Sequence, residues 1–257
     1  MAWRREGSER NLKRLGAFPI ANLMFADDYL VPLARMPPHP GRAVVSRSSA
    51  QAKGRGGCVD GSWYPESVAE PARKRATYED VISAPPHMVA EIVDGELHIS
   101  PRPGAPHSMA ASVLATELGP PFSRGRGGPG GWLLLIEPEV HLGPDILVPD
   151  YGGWRRERMP FVTDVPYFTL TPDWICEVLS PSTERTDRAD KLPVYAREGV
   201  RHVWLVNPLQ RTLEVLRLES GRWLTLAVHR DDARVRAEPF DAIELELGAL
   251  WADVRIG

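Results

Sequence analysis

The chain has 257 residues, 43% of them hydrophobic and 25% charged, an ordinary globular balance with room for one large domain or two small ones. Its formal net charge of −3 excludes a globally basic polyanion binder, so any nucleic-acid contact has to come from a local surface. Two cysteines, Cys58 and Cys176, exclude a disulfide framework and fit a reducing cytoplasm, and no apolar run approaches the roughly 18 residues of a membrane helix.

Residues 1–74 are rich in Pro, Gly, Ser and Arg, as in MPPHPGR and RSSAQAKGRGG, and lack sustained periodicity. A poorly ordered extension is expected there, either a non-functional one or a basic arm that touches nucleic acid. Within it AFPIANLMFA follows Lys13 and Arg14 as a signal peptide would. Pro19 interrupts it and it runs into Asp27-Asp28 without a cleavage site, so it is not read as one.

From Ala76 the pattern becomes that of a folded domain, taken here as residues 75–257. Thr77 caps a short helix, TYEDVISA, with Asp80 at the capping-box position. MVAEIVDGELHIS reads as two strands around an Asp-Gly turn. His107 or Ser108 opens the helix HSMAASVLATELG, closed by Gly119. GRGGPGG is a loop, and WLLLIEPEVHL and DILVPD are strands. An arginine-rich loop, YGGWRRERMP, precedes the strand TPDWICEVLS. SPSTERTDRADKLPVYAREG holds a short helix ended by Gly199, with Pro193 suited to a first turn. RHVWLVNP, RTLEVLRLE and RWLTLAVH are three further strands, the last two joined at Ser220-Gly221. This order predicts an α/β (α+β) fold: a mixed sheet flanked by helices, with extra C-terminal strands.

Three residues in this frame are candidates for chemistry. Glu177 interrupts the apolar run WICEVL, where a carboxylate is costly unless it is paired or bound to metal. A core ion pair with an arginine, or a position at a strand edge, explains it equally. Asp150 closes DILVPD, and Asp after Pro is also an ordinary turn residue. Two strand-borne carboxylates meeting at one sheet edge form an oxygen-rich pocket suited to Mg²⁺, which polarises a phosphodiester and acidifies a bound water. Lys191 follows Glu177 at the start of the next helix, where an ammonium stabilises developing negative charge or stands in solvent as most lysines do. P-loop, nucleophile-elbow and zinc spacings are absent from the sequence.

The strings YEDVISAPP, EIVDGELHISPRP, HSMAASVLATEL, LVPD, WICEVLSPSTERTDRADKLPVYAREGV and HVWLVNP follow one another in an order that resembles the bacterial family called putative restriction endonuclease, of the Uma-two type. The resemblance runs from about Thr77 to Trp251, some two thirds of the chain. It implies the restriction-endonuclease-like fold of the PD-(D/E)xK nuclease superfamily and an endonuclease that cleaves DNA with Mg²⁺ or Mn²⁺. In that resemblance Asp150 matches the Asp of the first half-motif and Glu177 the acid of the second. Leu179 stands where the second half-motif carries lysine, and Lys191 matches a lysine displaced onto the following helix. Glu91 in the early hairpin matches a further metal ligand, and His107 a phosphate contact. A hairpin carboxylate and a helix-cap imidazole are the structural readings of the same two residues. DNA is the implied partner, with no membrane, and the class admits a homodimer. The alternative is a catalytically silent nucleic-acid-binding or interaction module on the same fold.

Overall fold

The structure, a computed structural model, describes residues 75–255, so the expected extension over residues 1–74 and the signal-like segment lie outside the described residues. Thr77 and Asp80 close a capping box at helix α1 (Tyr78–Ile82). The strands β1 (Met88–Val93) and β2 (Glu96–Pro101) pair antiparallel across Asp94-Gly95, both at positive φ (51° and 84°), the geometry that an Asp-Gly turn supplies.

Helix α2 (Ala105–Leu118) starts before His107, with Pro106 in its first turn, where a missing N–H costs nothing. Gly119 does not close it. Its φ of −61° is helical, and the chain continues through a π-helical turn, Gly119–Ser123. The run WLLLIEPEVHL is two strands, β3 (Trp132–Ile136) and β4 (Val140–Leu142), because Glu137 turns at φ 45° ahead of Pro138. β5 is short (Asp145–Leu147).

YGGWR, expected as the start of a loop, is strand β6 (Tyr151–Arg155), buried along its first four residues. Its glycines are required by packing. A Cβ on Gly152 would meet the Trp154 ring at 2.8 Å and Pro138 at 2.9 Å, and one on Gly153 would meet the Trp174 ring at 2.9 Å. Neighbouring indoles fill the space that side chains leave empty.

The remaining elements are β7 (Trp174–Val178), α3 (Glu184–Thr186), a π-helical turn (Asp187–Lys191), α4 (Leu192–Arg197), β8 (His202–Asn207), β9 (Thr212–Glu219) and β10 (Arg222–Arg230). A two-stranded ribbon, β11 (Arg234–Val235) with β12 (Leu245–Glu246), follows. The fold is mixed α+β, but the strands divide into separate sheets where a single sheet was expected. Six strands run in the order β10-β9-β8-β7-β6-β3, and four in the order β2-β1-β5-β4. In the larger sheet β7 and β8 are parallel, joined by the helical segment 184–197, and the other pairings are antiparallel.

The central strands β7 and β8 of the larger sheet are buried on both faces, which is why they read as nearly continuous apolar runs. Trp174, Cys176 and Val178 pack with Leu114 and Leu118 of α2 on one face. Ile175 and Leu179 pack with Val194 and Tyr195 of α4, and with Val93 and Leu147 of the smaller sheet, on the other. Alternation along β7 directs Glu177 to this second face, between the two sheets.

Candidate active site

Glu177 is 2% exposed and Lys191 4%, so Lys191 is not the solvated residue of the simplest sequence reading. The antiparallel register of β6 and β7 pairs Tyr151 with Cys176, which brings Asp150, one residue earlier, opposite Glu177. Asp150 stands just before β6 rather than at the end of β5. Its Oδ2 accepts the Val178 N–H at 2.7 Å, and its Oδ1 lies 3.0 Å from His107 Nε2. His107, expected to contact phosphate, meets Asp150 in this structure. Its Nδ1 is buried with no hydrogen-bond partner among the described residues.

Glu91 arrives from β1, at the seam where the smaller sheet meets the larger. Its Oε1 accepts the Val148 N–H at 2.8 Å and lies 3.0 Å from Lys191 Nζ. Lys191 is the only lysine after residue 74. The π-helical turn brings it inward, where its ammonium also meets Asp187 Oδ1 at 3.0 Å and Glu177 Oε1 at 3.5 Å. Such turns recur at functional sites because the extra residue re-aims a side chain. The phenol of Tyr195 donates to Glu177 Oε1 at 2.5 Å.

All five residues singled out from the sequence, Glu91, His107, Asp150, Glu177 and Lys191, line one cavity of about 50 Å³, together with Asp187. Two partners were missed. Asp187 and Tyr195 each stand four residues from Lys191, so the spacing D-x-x-x-K-x-x-x-Y carried the signal of one helical face pointing inward.

The electrostatics of this cluster are unbalanced. Five carboxylates, from Glu91, Glu137, Asp150, Glu177 and Asp187, line the cavity with one ammonium and one imidazole. Burial holds the Glu177 carboxyl well above the usual range. Lys191 opposes this, while Asp187, Asp150 and Glu91 add to it. Asp187 is raised as well, by burial first, against the pull of Lys191. Burial alone would depress Lys191, but Glu177, Glu91 and Asp187 more than reverse it and hold the ammonium charged. A charged lysine among more acids than it can neutralise leaves room for a proton or a further cation.

The donor atoms are carboxylate oxygens, the chemistry that Mg²⁺ and Mn²⁺ prefer. Among the described residues no three His, Cys, Asp or Glu side chains converge as a ready metal shell, because three of the acids close on the ammonium of Lys191. Asp150, Glu177 and Glu91 fit such an ion in donor type and charge.

A mixed sheet that gathers Asp150 just before β6, Glu177 of β7, a hairpin acid and an inward lysine agrees with the restriction-endonuclease-like fold that the resemblance implies. The family model described as "Putative restriction endonuclease" matches residues 75–249, and the chain belongs to this family, Uma2. No curated protein matches the chain. Among solved structures it is similar to the crystal structure of a putative nuclease belonging to DUF820 from Anabaena variabilis. The identity is 22% and the TM-score 0.53, with 69% of this chain and 98% of that one covered. At that identity the likeness concerns the fold.

Proposed function

We propose that this protein is a nuclease that hydrolyses phosphodiester bonds of DNA with the help of Mg²⁺ or Mn²⁺, in the cytoplasm. The observation that carries the reading is the meeting of five acids and a single lysine in the lining of one cavity, three of the acids in contact with that lysine. Membership of a family described as restriction endonucleases and likeness to a structure described as a nuclease support it. Among the described residues no helix is long and apolar enough to cross a membrane.

In this reading Asp150, Glu177 and Glu91 would hold the ion, which when bound would supply Lewis acidity toward water and phosphate. His107 and the Val178 N–H orient Asp150, and the Val148 N–H orients Glu91. Tyr195 fixes Glu177 by donating its phenolic proton. Lys191 carries a positive charge beside the scissile phosphate, worth on the order of a few kcal/mol to a transition state in which negative charge builds up. The test is incubation of supercoiled plasmid with Mg²⁺, Mn²⁺ or EDTA. Nicking that requires metal and disappears in Asp150→Ala supports the reading, and metal-independent or absent nicking refutes it.

One observation favours a second reading, a catalytically silent nucleic-acid-binding module. The ammonium of Lys191 already satisfies three of the acids, so the cluster could serve as a buried structural ion network. That module binds DNA without cleaving it and gains no stability from metal.

A further inference from the structure

The acidic cavity opens into two wider clefts. One, of about 300 Å³, runs along α2 past Ile136 and Glu137. The other, of about 270 Å³, runs past Ser180–Ser182 and Pro208-Leu209. Pro103 and His107 border all three spaces, and Arg102 borders both outer clefts.

A polyanion approaching this mouth meets an excess of acids and needs a cation at the rim. Lys191 is buried within its three carboxylates, and His107 is held by Asp150. Arg102 is different. Its side chain is 58% exposed, and its one partner among the described residues is Glu137, 43% exposed, at 3.5 Å. A guanidinium carries five N–H donors in a planar fork suited to a phosphate. The arginines of the loops at Arg124, Arg126 and Arg156 lie toward the other end of the β3–β6 ladder, where Trp132 pairs with Arg155.

Both partners are held by their backbones. Pro101 and Pro103 flank Arg102, and the second restricts it to an extended conformation. Glu137 sits at φ 45°, with its N–H bonded to the carbonyl of Asp150 at 3.0 Å. An ion pair therefore spans the mouth from the segment entering α2 to the turn after β3. An exposed pair of this length contributes little to stability and exchanges readily for a better partner.

We infer that Arg102 is the residue that grips a backbone phosphate of the nucleic acid at the mouth of the cleft, and that Glu137 is the carboxylate it leaves when that phosphate arrives. The inference rests on the nuclease reading and adds a substrate contact at the rim, outside the acidic cluster. Glu137 returns to water when released, so the exchange strands no buried charge. Charge-assisted, bidentate contact to phosphate then replaces a single long one.

The experiment is fluorescence anisotropy of a labelled DNA duplex and its single strand with the full chain, over a range of salt, in Mg²⁺ and in EDTA. Label integrity is checked after each titration. Arg102→Gln is expected to weaken binding about tenfold and to reduce the salt slope by about 0.9, the loss of one phosphate contact. Glu137→Gln is expected to tighten binding severalfold, and both variants to melt near the parent temperature. Parent affinity and slope in Arg102→Gln would overturn the inference while leaving the nuclease reading standing. If Arg102→Gln fails to fold, unchanged binding by Glu137→Gln overturns it instead. A parent protein that binds neither DNA in either condition overturns the nuclease reading and this inference with it.

Discussion

Lys191 Nζ lies 3.0 Å from Glu91 Oε1, an ion pair that ties the π-helical turn after α3 to the first hairpin and is buried on both sides. The same ammonium reaches Asp187 and Glu177, so one side chain joins the larger sheet, the helical crossover and the smaller sheet. Removing one partner of such a network leaves uncompensated buried charge, which costs about 3–5 kcal/mol. Lys191→Met is therefore expected to lower the urea midpoint strongly and to abolish cleavage. A midpoint equal to that of the parent would show that the acids are neutral or hydrated without the lysine.

The burial of Glu177 sets a pH dependence with a definite sign. Its folded-state pKa is raised, so in the unfolded chain the carboxyl loses its proton at lower pH than in the folded one. Its contribution to stability is complete below about pH 4.3, the ordinary glutamate value, and is lost as pH rises through the folded value. A divalent ion binds the carboxylate and reverses that loss. Stabilisation by Mg²⁺ should therefore grow with pH, reaching about 2.7 kcal/mol at a hundredfold excess over Kd. Thermal melts at about pH 5.5 and about pH 8 check this. Equal metal shifts at the two values would remove Glu177 from the ion.

Tyr195 offers a test of positioning. Its phenol donates to Glu177 Oε1 at 2.5 Å and touches no other carboxylate of the cavity by a hydrogen bond. Tyr195→Phe keeps the ring and removes the donor. Loss of an outer partner of a metal-holding carboxylate typically costs 10–100-fold in metal affinity or activity. Isothermal titration with Mn²⁺ and plasmid nicking should both decline within that range. A change in stability alone, with metal affinity intact, would assign Tyr195 to packing.

Gly153 tests the reading of β6 as a packed strand. A methyl group there would lie 2.9 Å from the Trp174 ring and 3.0 Å from Leu134 Cδ2. Overpacking of this kind typically costs about 1–3 kcal/mol. Gly153→Ala should lower the denaturant midpoint accordingly, and an unchanged midpoint would contradict the close approach of these rings.

Elements specified by local chemistry were readable from the sequence. The Thr77–Asp80 capping box, the Asp94-Gly95 turn and Pro193 at the first turn of α4 each use a motif a few residues long. Glu177 was conspicuous because it stands among apolar residues, and the structure gives it a buried lysine where an arginine pair was one alternative. Tyr151–Arg155 misled because Gly and Arg are loop composition, while the reason for the glycines lies in Trp154 and Trp174, set by packing at a distance. Lys191 was expected at the site, but its burial within a closed ion network depends on Glu91, far away in sequence.

The most direct test of the central claim is a crystal of the full chain soaked in Mn²⁺ and measured at the manganese absorption edge. The account predicts an anomalous peak in the cavity bounded by Asp150, Glu177 and Glu91, with the Lys191 ammonium moved toward Asp187. No peak in that cavity, with Lys191 Nζ still seated between Glu91 and Glu177, would contradict it.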